Sequence, residues 1–200
     1  MRLIPLFALL VSTATLADAP PGMTERVRGT LTAFDAHHVE MTTTTGQPLN
    51  IALTPKTAWR SVAVASPKDI APDSYIGTAA VVQPDGTLKA LEVHVFAPAL
   101  RGSGAGHRPW EGADGNKATM TNGTVGTLKV ADGQRLTVSY PEGEKTVVVP
   151  DGVPIVRIDP ADATALKAGA HIIVTAVPDD KGGAVAQSVM VGKDGLVPPM

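Results

Sequence analysis

Most of the chemistry open to this chain rests on a few histidines, a glutamate and a tryptophan. Glu92, His94 and Phe96 alternate in Glu92-Val93-His94-Val95-Phe96. Alternate residues of a strand share a face, so these three point away from the face formed by Val93 and Val95. The valines form the expected core face, and Glu92 and His94 then face outward. His107 follows in Arg101-Gly102-Ser103-Gly104-Ala105-Gly106-His107-Arg108-Pro109-Trp110. If the two segments meet, Glu92, His94 and His107, with Met120 as a further donor, form an N/O/S set that suits zinc or copper. A second reading is architectural. His94 and His107 would hydrogen-bond the connecting segment in place, and Trp110 would plug a gap between domains with its N–H bonded. No His-x-His, His-x-x-x-His or Cys-x-x-Cys spacing favours the metal.

Other chemistries find less support. Glycines at 102, 104 and 106 let a backbone approach something closely. No strand-to-helix junction follows them, as a phosphate loop requires. Arg101 stands where a nucleophile elbow around Ser103 needs glycine. No Ser/His/Asp order and no carboxylate pair stands out, so the chain reads as a non-enzyme. His37 and His38 fall in a hairpin turn and read as solvated. The methionines are scattered without Met-x-x-Met clusters and read mostly as core or terminal residues.

The elements that must hold these residues occur twice. Val27-Arg28-Gly29-Thr30-Leu31, then Asp35, returns as Thr124-Val125-Gly126-Thr127-Leu128, then Asp132. Gln83-Pro84-Asp85-Gly86, Ala90 and Val93 answer Asp179-Asp180-Lys181-Gly182, Ala186 and Val189. His171 takes the place of Tyr75 in the second copy, a strand-face packing position. A repeat this long implies a pair of domains, because it exceeds the units of solenoids. Each copy reads as three short strands, a short helix and a final hairpin. Ser66 is the expected N-cap of the first helix and Asp159 of the second. This is the order of an OB-like small β-barrel. The expected fold is therefore all-β: two tandem OB-like barrels, each with one short helix. The first domain spans 24–96 and the second 122–200. A Gly/Pro-rich connector over 97–121 joins them, too long for a bland linker.

Composition limits the partners. The 200 residues carry a formal net charge of −2, with lysine and arginine scattered, and aromatic residues make up 4%. Nothing there suggests nucleic acid. Cysteine is absent, which removes disulfides and thiolate metal sites. Met1-Arg2, an apolar run from Leu3 to Leu16 and small residues at 14, 17 and 19 form an expected signal peptide over 1–19. Cleavage falls after Ala17 or Ala19. The run is shorter than a membrane span needs, so a periplasmic or secreted protein is expected.

The chain resembles exported bacterial proteins with two OB-like domains of unknown function. The likeness lies in the Val-x-Gly-Thr start, the Gly-x-x-Val/Ile-x-Val late strand, and the connector from Glu92 to Trp110 followed by Met120-Thr121-Asn122. Some relatives are labelled as associated with metal ABC transporters. Ala105 stands where the resemblance implies an acidic residue, and Glu111 where it implies Asp. The combined expectation is a non-enzymatic binding or adaptor protein for a periplasmic protein or small ligand. It would use the first-barrel face and connector through Glu92, His94, Arg101, His107, Arg108 and Trp110. The alternative is a zinc or copper protein using His94 and His107.

Overall fold

The structure is a computed structural model, described for residues 25–111, 117–130, 134–180 and 182–199. The expected signal peptide and the Asp132-Gly133 turn lie outside those residues. Thirteen strands carry the described chain, and the only helical elements among them are single 3-10 turns. The fold is all-β. None of its helices is long and apolar enough to cross a membrane among the described residues.

Two five-strand circuits organise the sheet. In the first, β1 (Glu25–Phe34), β2 (His38–Thr43) and β3 (Pro48–Ala52) form an antiparallel meander. The circuit is completed by β12 (His171–Pro178), which pairs with β1, and β13 (Ala184–Gly192), which pairs with β12 and touches β3. In the second, β8 (Lys117–Val130), β9 (Gln134–Tyr140) and β10 (Gly143–Val149) form the meander. Here β5 (Tyr75–Val82) and β6 (Leu88–Phe96) complete the circuit. Each circuit thus combines three strands of one sequence copy with the last hairpin of the other.

This pairing crosses the expected division into 24–96 and 122–200. The buried side chains follow the circuits. One core joins Leu31, Met41 and Ile51 to Ile172, Val174 and Val189. The other joins Ile76, Leu88 and Val93 to Leu136, Val138 and Val147. Full burial of such a side chain is worth about 1.5–3 kcal/mol. Exchange of the hairpins therefore carries the burial energy of both cores across the repeat boundary.

Two strands absent from the sequence reading join the circuits. β4 (Ala58–Val64) runs parallel to β13, and β11 (Ile155–Pro160) runs parallel to β6. They pair with each other antiparallel, Val64 opposite Val156 and Val62 opposite Ile158. A third apolar cluster sits around them, with Val62, Phe96, Ile158 and Ile173. In place of the expected short helix, each copy makes only a single three-residue 3-10 turn, Pro67–Asp69 and Ala163–Ala165. Asp69 accepts from the Ser66 N–H at 2.8 Å and the Ser66 hydroxyl at 2.9 Å. The second turn is capped by Asp162, which accepts from the Thr164 N–H at 2.8 Å; Asp159 lies on β11 beside Arg157.

The connector is also more ordered than expected. After a turn at Pro98–Leu100 it forms β7 (Gly106–Glu111), antiparallel to β8. Residues 117–121 belong to β8. The repeated glycine has a local cause at Gly29, where a Cβ would fall on the Thr42 carbonyl.

Candidate functional site: a cavity between the two circuits

The alternation read from Glu92 to Phe96 places the side chains as described, but the outward face meets no solvent. Val93 and Val95 point into the second core. Glu92 and His94 are 6% and 2% exposed, because the first circuit packs over them. His94 Nε2 lies 3.0 Å from Glu92 Oε1, yet it makes no aligned hydrogen bond.

Over this face lies a cavity of about 410 Å³. One wall is the outer surface of the first circuit: Ile173 and Thr175 of β12, and Ser188 and Met190 of β13. Their neighbours Ile172, Val174, Val189 and Val191 point the other way, into the first core. The opposite wall is β6 with His94 and Phe96, and β8 with Met120 and Asn122. Ser103 and Gly104 of the connector and Trp110 of β7 close one side.

Three arginines enter this space: Arg26 from β1, Arg60 from β4 and Arg108 from β7. All three are half-buried. Among the described residues, none has a carboxylate within ion-pair distance. The Arg26 guanidinium carbon lies 3.7 Å from the centroid of the Trp110 ring, and that of Arg108 lies 5.5 Å from it. Burial, with repulsion from Arg28 and Arg108 and some relief from Glu92, pushes Arg26 down to about 10. Burial also lowers Arg60. Both remain cationic at neutral pH, so the cavity is positive inside a chain of net charge −2.

The connector is fitted to the cavity's rim. Ser103 O accepts from the Tyr75 hydroxyl and from Asn122 Nδ2, both at 3.2 Å. Arg108 Nη1 donates to Gly104 O at 3.0 Å. Gly104 has φ +56, and a Cβ there would come within 3.1 Å of Asn122 Nδ2. A side chain is thus disfavoured by both backbone and space.

The six binding residues expected from sequence separate into two groups. His94, Arg108 and Trp110 line the cavity, and Glu92 backs His94. Arg101 and His107 lie elsewhere. Arg101 is exposed, 3.4 Å from Asp73 Oδ2 and 3.2 Å from Thr124 Oγ1, where it ties the connector to the second circuit. His107 Nδ1 is 2.8 Å from Thr121 Oγ1, and its ring stacks on Tyr140.

The zinc or copper pairing of His94 with His107 is not supported by this geometry. His94 is in register with Gly77, Asn122 and Gly106, whereas His107 is in register with Thr121, which pairs with Thr78, itself opposite Val93. Adjacent rows face opposite sides of a sheet. Three strand spacings of about 4.8 Å also separate β7 from β6. The two rings cannot share an ion. Among the described residues, no three His, Cys, Asp or Glu side chains gather as a metal set.

Arg26 and Arg60 are the functional candidates that sequence reasoning missed. Arg26 is recognisable only as the residue beside Val27 on the face opposite the core. Arg60 sits in a segment with no strand alternation. Only pairing of β1 and β4 with the exchanged hairpin brings them to one place. Comparisons with protein-family models, curated proteins and solved structures find no match.

Proposed function

We propose that this chain is a non-catalytic small-molecule binding protein whose ligand occupies the cavity between the two circuits. The observation that carries the reading is the cavity itself. About 410 Å³ is within the range of small-ligand sites, and it combines apolar walls with a few convergent polar groups. Arginine and tryptophan side chains recognise charge and flat surfaces. Two further inferences accompany this reading. The circuits are OB-like barrels with exchanged final hairpins, supported by the meander-plus-hairpin pairing of each. The protein acts after export, in the periplasm or outside the cell, supported by the pattern of residues 1–19.

The test is a thermal-shift screen of neutral, cationic and anionic small molecules on the whole protein and on Ser188→Trp. The indole would fill the cavity from β13. A ligand that raises the melting temperature of the parent protein and not of Ser188→Trp supports the reading. Equal responses from both proteins, or none from the parent across the screen, reject it.

A further inference from the structure

We infer that the ligand is a small organic anion, its carboxylate or phosphate gripped by Arg26 and Arg108 and its apolar body laid against Phe96, Ile173 and Met190. This rests on the binding-protein reading and adds the chemical class to it.

Four observations converge. The first is the unbalanced charge. Three half-buried guanidiniums share one cavity, and Glu92, the carboxylate behind it, is 3.0 Å from His94. Bringing cations together in a partly dry space is costly, and an anion offsets that cost. The second is the arrangement of donors. Arg26 and Arg108 both approach the Trp110 ring, which holds two planar donor forks on one side of the cavity. Such forks match carboxylate and phosphate oxygens in bidentate fashion. Arg60 stands across β12 and β13 from Arg26 and adds positive field from the other edge of that wall.

The third observation is His94, which lines the cavity at 2% exposure with Nε2 lacking an aligned hydrogen bond. Its ring stands beside Glu92 and brings a deeply buried polar group to the cavity wall, the kind of convergent group that orients a ligand. The fourth is the apolar floor of Phe96, Ile173 and Met190. An inorganic ion would leave that floor in contact with water, whereas an organic anion covers it. The lowered pKa of Arg26 accords with this, since a bound anion would raise it again toward its ordinary value.

The experiment is calorimetric titration of the whole protein with phenylacetate, phenyl phosphate and the neutral 2-phenylethanol, at low and high sodium chloride. Saturable one-to-one binding of at least one anion is expected, weakened by salt, with the neutral compound at least about tenfold weaker. Whether phenylacetate or phenyl phosphate binds tighter identifies the anionic group as carboxylate or phosphate. Arg108→Gln should lose about tenfold in affinity, and Arg108→Lys should recover part of it as charge without the fork. Arg101→Gln, outside the cavity, should bind like the parent. Unfolding curves of each variant separate lost binding from lost fold. Equal affinity for 2-phenylethanol overturns the anionic class while leaving the binding-protein reading intact. Failure of both anions to bind overturns the inference, and the Ser188→Trp screen then judges the broader reading independently.

Discussion

The guanidinium of Arg26 lies over the indole of Trp110 at 3.7 Å from the ring centroid. One residue belongs to the first strand of the first circuit, and the other to the connector strand on the second. The contact therefore joins the two circuits across the mouth of the cavity. Cation–π pairs of this kind contribute about 0.5–2 kcal/mol, more as they are desolvated. In a double-mutant cycle with Arg26→Gln and Trp110→Leu, we expect a coupling of about 0.5–1 kcal/mol from urea unfolding. A coupling indistinguishable from zero would remove the pair as a clasp.

The buried pair of Glu92 and His94 predicts a non-additive outcome. Either residue replaced alone by leucine leaves its partner buried without its neighbour, at a cost of about 1–3 kcal/mol. Replacing both with leucine removes that penalty. The double variant should unfold at a higher denaturant midpoint than at least one of the single variants. Strict additivity would mean that the two side chains are not energetically coupled.

Gly77 sits under the cavity, in register with His94 on one side and Asn122 on the other. A Cβ there would lie 2.5 Å from Asn122 Oδ1 and 3.2 Å from the Phe96 ring. Gly77→Ala should destabilise by about 1–3 kcal/mol through overpacking and should displace Asn122. Gly46→Ala provides the contrast, since nothing lies near its Cβ and only its φ of +85 opposes the change. Comparing the two melting temperatures checks this, with Gly77→Ala expected to be the lower.

His107 makes stability depend on pH in a definite direction. Partial burial and the nearby Lys145 hold it below its ordinary value of 6.5. As pH falls through 6.5, the unfolded chain takes up a proton before folded His107 does. Stability is full above that value and declines as pH falls toward the folded one. His107→Gln should flatten this part of the melting-temperature profile. The turn aspartates Asp35, Asp85 and Asp162 have lowered values from their own hydrogen bonds. Their contributions are present above 3.8 and lost at lower pH, so a separate acid limb should survive in the variant.

Local pattern was legible in the sequence, and long-range pairing was not. Strand alternation assigned Val93 and Val95 to a core and Glu92, His94 and Phe96 to the opposite face. It could not tell whether that face met solvent or another sheet. β4 escaped notice because Ser61 and Val62 are both buried, so covering on two sides erases the period of two. β7 was hidden by Pro109 and three nearby glycines, the residues that usually mark loops. The hairpin exchange has a deeper cause. Ala90 and Val93 of one hairpin match Ala186 and Val189 of the other, and all four are buried core residues. Either hairpin therefore presents a suitable face to either meander, and the residues alone do not choose between them.

The exchange also sets an order of assembly. β1 finds its partner in β12, with Gly29 opposite Ile172, while the second circuit uses only strands between Tyr75 and Val149. As the chain grows from its N-terminus, the first meander is made early and must wait, its apolar face uncovered, while the whole second circuit is completed. Contacts so distant in sequence are slow to form. During that interval the waiting meander is open to the late hairpin of another copy as well as to its own.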